Sequence, residues 1–117
     1  LRFRIEGHTD AVGFPSVDPD PYRANLILSQ ERARNVLFYI LDIIDAKNYP
    51  DADKELLRHL LTANGYSFNR ALDSNGNEIY GTNNTIDYNK SRRVEIRIIT
   101  DEKAILEKLI KRTGSKP

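Results

Sequence analysis

The chain has 117 residues, 39% of them hydrophobic and 30% charged, with a formal net charge of +1. That length supports one domain with a modest core, and the near-neutral total gives no sign of a nucleic-acid or membrane-surface binder. The absence of cysteine excludes a disulfide framework and a thiolate metal site.

Charge is uneven along the chain. From Asn89 onward nine Lys or Arg face four acids, a local +5 that leaves −4 for the first 88 residues. Solvated strand and helix faces account for such a run more often than an anionic partner does. No stretch approaches the ~20 apolar residues of a membrane span. The chain starts at Leu1 without methionine, so any anchor or targeting signal is expected upstream.

Leu1 to Glu6 alternates, with Leu1, Phe3 and Ile5 on one face and Arg2, Arg4 and Glu6 on the other. This predicts a half-buried strand. Gly7 to Ala24 reads as a loop, because Gly13, Pro15, Pro19 and Pro21 interrupt regular structure. A loop this long in a small domain is more often functional than idle. Ser29 has the character of an N-cap. After it, Ala33, Val36, Leu37, Ile40, Leu41 and Ile44 recur at helical spacing and predict a helix ending near Lys47. Asn48-Tyr49-Pro50 breaks it, and Asp51 is placed to cap a second, short helix through Leu56 and Leu57.

Leu60 to Ser67 reads either as a continuation of that helix to Gly65 or as a strand. Asp73 to Asn84 is a loop on its Asp, Ser, Asn and Gly content. Arg93 to Ile99 alternates again, with Val94, Ile96 and Ile98 assigned inward and Arg93, Glu95 and Arg97 outward. Glu102 to Arg112 reads as a last amphipathic helix, and residues 113–117 as a tail. The order gives an α+β fold, a two-layer α/β sandwich in one domain of residues 1–117 with its core within 1–100. Two or three strands alone make a poor sheet, so a further strand is expected from upstream of Leu1 or from another chain.

Two polar clusters carry the candidate chemistry. Gly7-His8-Thr9-Asp10 ends the first strand, and Asn25 to Arg34 opens the long helix. In a β–α unit a strand end and the next helix N-terminus lie side by side. Asp10 and Arg32 therefore approach one crevice across 22 residues of sequence. Such a pair suits a zwitterion, the carboxylate taking an ammonium and the guanidinium fork a carboxylate. The alternative is an internal Asp–Arg ion pair that only fixes the loop. His8 has His59 as its only possible histidine partner and no ligand set around it, so it is expected to pack or hydrogen-bond beneath the site. Asp18-Pro19-Asp20 reads as a turn rather than a magnesium site. No nucleophile–base pair and no phosphate-cradling loop stands out, so no enzyme, cofactor or metal is expected.

The residues Gly7-His8-Thr9-Asp10, then Asn25, Leu28-Ser29, Arg32-Ala33 and Val36, then Gly65-Tyr66, then Arg92-Arg93-Val94-Glu95-Ile96 resemble the signature of the OmpA/MotB/Pal superfamily. Its pattern is G-H-T-D, N-x-x-L-S-x-x-R-A-x-x-V, G-Y/F/M and N/D-R-R-V-E-I, in that order. The resemblance covers about Arg2 to Ile99. It implies an OmpA-like peptidoglycan-binding domain that holds the diaminopimelate of the stem peptide and anchors a membrane protein or motor stator to the wall. Residue by residue, it places Asp10 on the ammonium, Arg32 on the carboxylate, Thr9 and Asn25 in the pocket lining, and Arg92 as a further basic contact.

It also implies a periplasmic domain of a Gram-negative envelope protein, with membrane attachment only through segments outside this chain. Two departures stand out. Ser91 replaces the usual Asn or Asp before the paired arginines, and the family's first strand and helix would have to precede Leu1. The longer loops and Lys90-Ser91-Arg92-Arg93-Val94 resemble MotB-like stator subunits and Zorya-type motor proteins. The alternative reading is a protein–protein assembly or dimerisation domain of such a stator, with a vestigial pocket and a second copy as partner. Nucleic acid is not an expected partner, because Tyr66, Phe68, Tyr80 and Tyr88 do not alternate with basic residues in an RNA-binding pattern.

Overall fold

The computed structural model describes residues 1–79, 85–100, 107, 110 and 111. Its elements run β1 (Arg2–His8), α1 (Pro21–Ala46), α2 (Asp51–Leu60), β2 (Leu61–Gly65), α3 (Tyr88–Ser91) and β3 (Arg93–Ile99). The strands form one mixed sheet in the order β2-β1-β3. β2 runs parallel to β1, with Ile5 opposite Ala63 and Gly7 opposite Gly65. β3 runs antiparallel to β1, with Ile5 opposite Ile96 and Glu6 opposite Glu95. The fold is α+β, as expected. The ambiguous segment after α2 is a strand, and it follows the helix with no intervening loop.

The long helix starts two turns earlier than Ser29 suggests. Asp20 is its N-cap, accepting from the Tyr22 N–H, and Pro21 opens the first turn. A proline there gives up only an N–H that a helix start leaves unpaired anyway. Ser29 lies mid-helix and fully buried. The expected apolar stripe is otherwise the one that faces in: Ala33 and Ile44 are buried, and Val36, Leu37, Ile40 and Leu41 are half-buried. At α2 the cap position belongs to Pro50, without a side-chain cap, and Asp51 and Asp53 sit in the first turn where the helix dipole favours them.

Two glycines explain how closely α1 lies on the sheet. A Cβ on Gly7 would run into the carbonyl of Ser29, and one on Gly65 would lie 2.5 Å from both the Gln30 nitrogen and the Ser29 hydroxyl. Gly7 and Gly65 are register partners, so they form a flat spot on which the helix rests at Ser29. Among the described residues the buried apolar ones are accordingly few and mostly small: Ile5, Ala24, Ala33, Ile44 and Ala71.

α1 packs over β1 and β2, which corrects the expected burial of β3. Directly opposed residues share a sheet face, so Val94, Ile96 and Ile98 lie on the α1 side with Gly7, Ile5 and Phe3. They are nonetheless 36, 57 and 64% exposed, because α1 covers the other two strands. The opposite face, expected to be washed by solvent, is closed over at the carboxyl end of β1, while Arg2 and Arg97 on it stay exposed. Glu6 and His8 there are fully buried.

The loop after Ala71 is held by Asp73, whose carboxylate accepts from the backbone of Asn75 and Asn77 around a turn with Gly76 at φ +81°. The final helix expected over 102–112 and the tail over 113–117 lie outside the described residues, apart from Glu107, Ile110 and Lys111, which are helical. The end of the loop expected over 73–84 also lies outside them from residue 80.

Candidate functional site

The carboxyl end of β1 is fastened on two sides before the site begins. Beyond Gly65, Ser67 adopts the left-handed φ of +52°, a conformation uncommon for a residue with a side chain. Three bonds hold it there. Its N–H donates to the Ser29 hydroxyl at 3.0 Å, its own hydroxyl donates to the Tyr22 carbonyl at 2.8 Å, and its carbonyl accepts from the Thr9 N–H at 2.9 Å. One buried serine thus ties β1, β2 and the first half of α1 together where Thr9 and Asp10 emerge.

The five residues expected at the site line one cavity of about 240 Å³: Thr9, Asp10, Asn25, Arg32 and Arg92, together with Val12, Phe14 and Leu28. Thr9 and Asp10 come from the end of β1. Asn25, Leu28 and Arg32 form one stripe of α1 at spacings of three and four. Arg92 follows α3, whose N-cap Asp87 accepts from the Lys90 N–H. Ser91, just before it, is buried. Its hydroxyl accepts from the Leu72 N–H at 2.9 Å and donates to the Leu72 carbonyl, so serine supplies a bond to the neighbouring loop at the position where the family pattern has Asn or Asp.

The ion pair at this site is not the one expected from spacing. Asp10 pairs with Arg92, at 3.0 Å between Oδ2 and Nε, while its Oδ1 accepts from the Val12 N–H at 2.9 Å. Arg92 is itself placed by the Tyr88 carbonyl and the Asn89 side chain. Arg32 is half-buried on the cavity wall and makes no ion pair or hydrogen bond with any other described residue. Two guanidinium groups and one carboxylate leave the cavity with a surplus positive charge, carried by Arg32.

Two further polar atoms are buried there without partners, Thr9 Oγ1 and Asn25 Oδ1. The Asn25 amide nitrogen donates to the carbonyls of Val12 and Pro21. This fixes the side-chain flip and leaves its oxygen as an acceptor. Buried polar groups are nearly always satisfied, so these two atoms, on residues that line the cavity with Arg32, set this part of the described structure apart.

Behind the cavity, on the far face of the sheet, lies a charged network that sequence reasoning did not find. Glu6 and Glu95 face each other across β1 and β3, a repulsive pairing by itself. Arginines offset it. Arg97 Nε is 2.9 Å from Glu6 Oε1, Arg93 Nε is 2.6 Å from Glu95 Oε1, and Arg4 and Arg70 approach Glu6 at 3.6 and 4.0 Å. His8 Nε2 lies 3.3 Å from Glu6 Oε1, and its ring stacks on Tyr66, which also carries the Arg70 guanidinium on its face. His8 packs and bonds next to the site, as the sequence suggests.

Burial disfavours the Glu6 charge, but the hydrogen bond from Arg97, with Tyr66 and His8, holds its carboxyl below the ordinary 4.5. The bond from Arg93 does the same for Glu95. Burial, then repulsion by Arg93, pushes His8 below 6.5. Glu6, His8 and Glu95 bring ligand atoms within 4.8 Å of one another. Arginines hold Glu6 Oε1 and both Glu95 oxygens, while Glu6 Oε2 and His8 Nδ1 have no hydrogen-bond partner among the described residues.

Val12, Phe14 and Leu28 are the site residues that sequence reasoning missed. Leu28 was accessible in principle, since it shares the Asn25–Arg32 stripe. Val12 and Phe14 gave only the weak signal of apolar residues in a loop rich in Gly and Pro. The Asp18-Pro19-Asp20 segment is a turn leading to the helix cap, with the Asp18 carboxylate accepting from the Asp20 N–H.

No family model matches the chain, and no solved structure matches it. Among curated proteins it is similar to the Zorya protein ZorB of Escherichia coli strain Crooks, with 34% identity over 109 residues. The match takes in 92% of this chain and 41% of that relative, so the chain spans about two fifths of the curated protein it resembles. Among the described residues no helix is long and apolar enough to cross a membrane. The similarity supports the Zorya- and MotB-like branch of the resemblance read from the sequence.

Proposed function

We propose that this chain is a non-catalytic, wall-binding domain that holds the diaminopimelate of the peptidoglycan stem peptide and so anchors a stator-type membrane protein from the periplasmic side. The observation that carries this reading is Arg32, without a partner among the described residues, in the same cavity as Asp10, Thr9 and Asn25. The far end of diaminopimelate presents an ammonium and a carboxylate on one carbon, and the cavity lining offers a carboxylate and a guanidinium fork. The similarity to ZorB supports a motor-associated parent protein. The test is co-sedimentation of the chain with purified diaminopimelate-type sacculi. Wild type is expected to pellet, and Arg32→Ala to stay in solution. Failure of wild type to pellet would refute the reading.

A second reading has its own support. β3 is an edge strand whose Val94, Ile96 and Ile98 are exposed on an apolar face. An open apolar edge is a template for pairing with another chain, which favours an assembly domain. Sedimentation velocity on wild type and Ile96→Asp separates the readings. A dimer that Ile96→Asp disrupts, without wall binding in either protein, would favour assembly.

A further inference from the structure

We infer that Glu6, His8 and Glu95, on the far face of the sheet, form a binding site for a zinc-type divalent ion, and that Arg97 is the side chain the ion displaces. Glu6 and His8 stand two apart on β1 and so share a face, and Glu95 lies directly opposite Glu6 on β3. Each brings one ligand atom to a common point, with all three within 4.8 Å of one another. Spacing along the chain could not reveal the set, because Glu95 arrives from another strand. The site is separate from the cavity that holds Asp10 and Arg32, and its existence does not depend on what that cavity binds.

The separations suit zinc. His8 Nε2 lies 3.3 Å from Glu6 Oε1 and 4.0 Å from Glu95 Oε2. Ligand atoms about 2.0–2.2 Å from a tetrahedral ion are themselves roughly 3.3–3.6 Å apart. The first separation already fits, and the second needs Glu95 to close by about half an ångström. One imidazole with two carboxylates is a zinc donor set, whereas magnesium and calcium take all-oxygen shells. Glu6 and His8 are fully buried, and Glu6 Oε2 has no hydrogen-bond partner among the described residues, so this carboxylate keeps a free oxygen at the site.

Arg97 bridges the two carboxylates, Nε donating to Glu6 Oε1 at 2.9 Å and Nη2 to Glu95 Oε2 at 3.2 Å. Its side chain is 45% exposed, so it can swing into solvent and leave both oxygens to an ion of twice its charge. Glu95, one third exposed, opens the same route of entry. The other arginines need not move. Arg93 bonds Glu95 through Oε1 at 2.6 Å, the oxygen the ion does not use, and so orients that carboxylate as outer partners of metal ligands do. Arg4 and Arg70 stand further off, 3.6 and 4.0 Å from Glu6. All this positive charge opposes a further cation, so removing Arg97 should strengthen metal binding, a result that a purely structural ion network would not give.

The test is calorimetric titration of the chelator-treated 117-residue chain with zinc chloride, with cobalt(II) absorption as the readout of coordination. His8 and His59 are the chain's two histidines, and it has no cysteine, so a few variants decide where the ion sits. Wild type is expected to take up one zinc and to show the visible bands of four-coordinate cobalt. His8→Gln and Glu95→Gln should each lose more than the roughly tenfold that removing an outer partner of a metal site costs, and His59→Gln should bind as wild type does. Arg97→Ala should bind zinc about fivefold more tightly, since it removes competing ion pairs that are themselves weak. If the buried His8 does not tolerate substitution, the partly exposed Glu95 carries the comparison. No uptake by wild type, uptake lost in His59→Gln, or uptake retained in Glu95→Gln would overturn the site. Unchanged or weaker binding by Arg97→Ala would overturn it as well.

Discussion

Removing the Arg32 side chain and removing the Asp10 side chain should have unequal effects on stability and the same effect on binding. Asp10 is nearly buried and holds the Val12 N–H and the Arg92 guanidinium. Asp10→Ala leaves a backbone donor unsatisfied and removes the ion pair of Arg92, which keeps its bonds to Tyr88 and Asn89. The donor accounts for about 1 kcal/mol and the half-exposed ion pair for a fraction of that to about 1 kcal/mol more, so a loss of roughly 1–2 kcal/mol is expected. Arg32 has no partner among the described residues, so Arg32→Ala should stay within about 0.5 kcal/mol of wild type. Binding should fall by about 2–5 kcal/mol in both, since each substitution removes one partner of a charged contact to the ligand.

Urea denaturation of the two variants, read for midpoint at constant slope, gives the stability half of the comparison. Titration with a diaminopimelate muropeptide gives the binding half. Asp10→Asn serves as a control, since it keeps an acceptor for Val12 while removing the charge. The reasoning is refuted if Arg32→Ala unfolds as early as Asp10→Ala, because Arg32 would then have a structural duty.

Other consequences can be measured in the same material. Gly65→Ala places a Cβ 2.5 Å from the Gln30 nitrogen and the Ser29 hydroxyl, and lifting α1 to relieve it should cost about 1–3 kcal/mol in urea unfolding. Ser91→Ala deletes the bonds to both backbone groups of Leu72 and should lower stability by about 1–2 kcal/mol in the same assay. Glu6 and Glu95 are held below their ordinary 4.5 in the folded chain. Their contribution is therefore present above that pH and is lost as pH falls through their folded values. His8 is held below 6.5, so the unfolded chain takes up a proton there that the folded chain refuses, and the loss begins already below pH 6.5. Thermal melts from pH 7.5 to 4 should decline throughout, and His8→Gln should flatten the portion nearest pH 6.

Several elements were readable from local pattern because their signal is periodic. β1 alternates and the second half of α1 carries a regular apolar stripe. The first two turns of α1 were hidden because the helix rests on Gly7 and Gly65 there, so its sheet-facing residues are Ala24, Asn25 and Ser29 rather than large apolar ones. Asp20-Pro21 was the available signal, a cap followed by a first-turn proline, but the density of prolines around it pointed to a loop. β2, Leu-Thr-Ala-Asn-Gly, has little strand propensity and becomes a strand by pairing with β1.

The five candidate residues are named by the motif blocks, and the structure gathers all five into one cavity. Their pairing was not legible. Nothing in the spacing of Asp10 and Arg32 says that Arg92, 82 positions from Asp10, takes the carboxylate and leaves Arg32 unpaired. The buried network was missed for a related reason. Glu6, Glu95 and Arg97 alternate as an outward face would, and Tyr66 and Arg70, which meet His8 and Glu6 there, come from another segment.

The central claim, that this cavity holds the zwitterionic end of diaminopimelate, is tested most directly by titrating free meso-diaminopimelate into wild type and Arg32→Ala while following the amide resonances of Thr9, Asp10 and Asn25. The account predicts saturable shifts at these residues in wild type and none in the equally folded variant. Unshifted resonances in wild type, or the same shifts in both proteins, would contradict it.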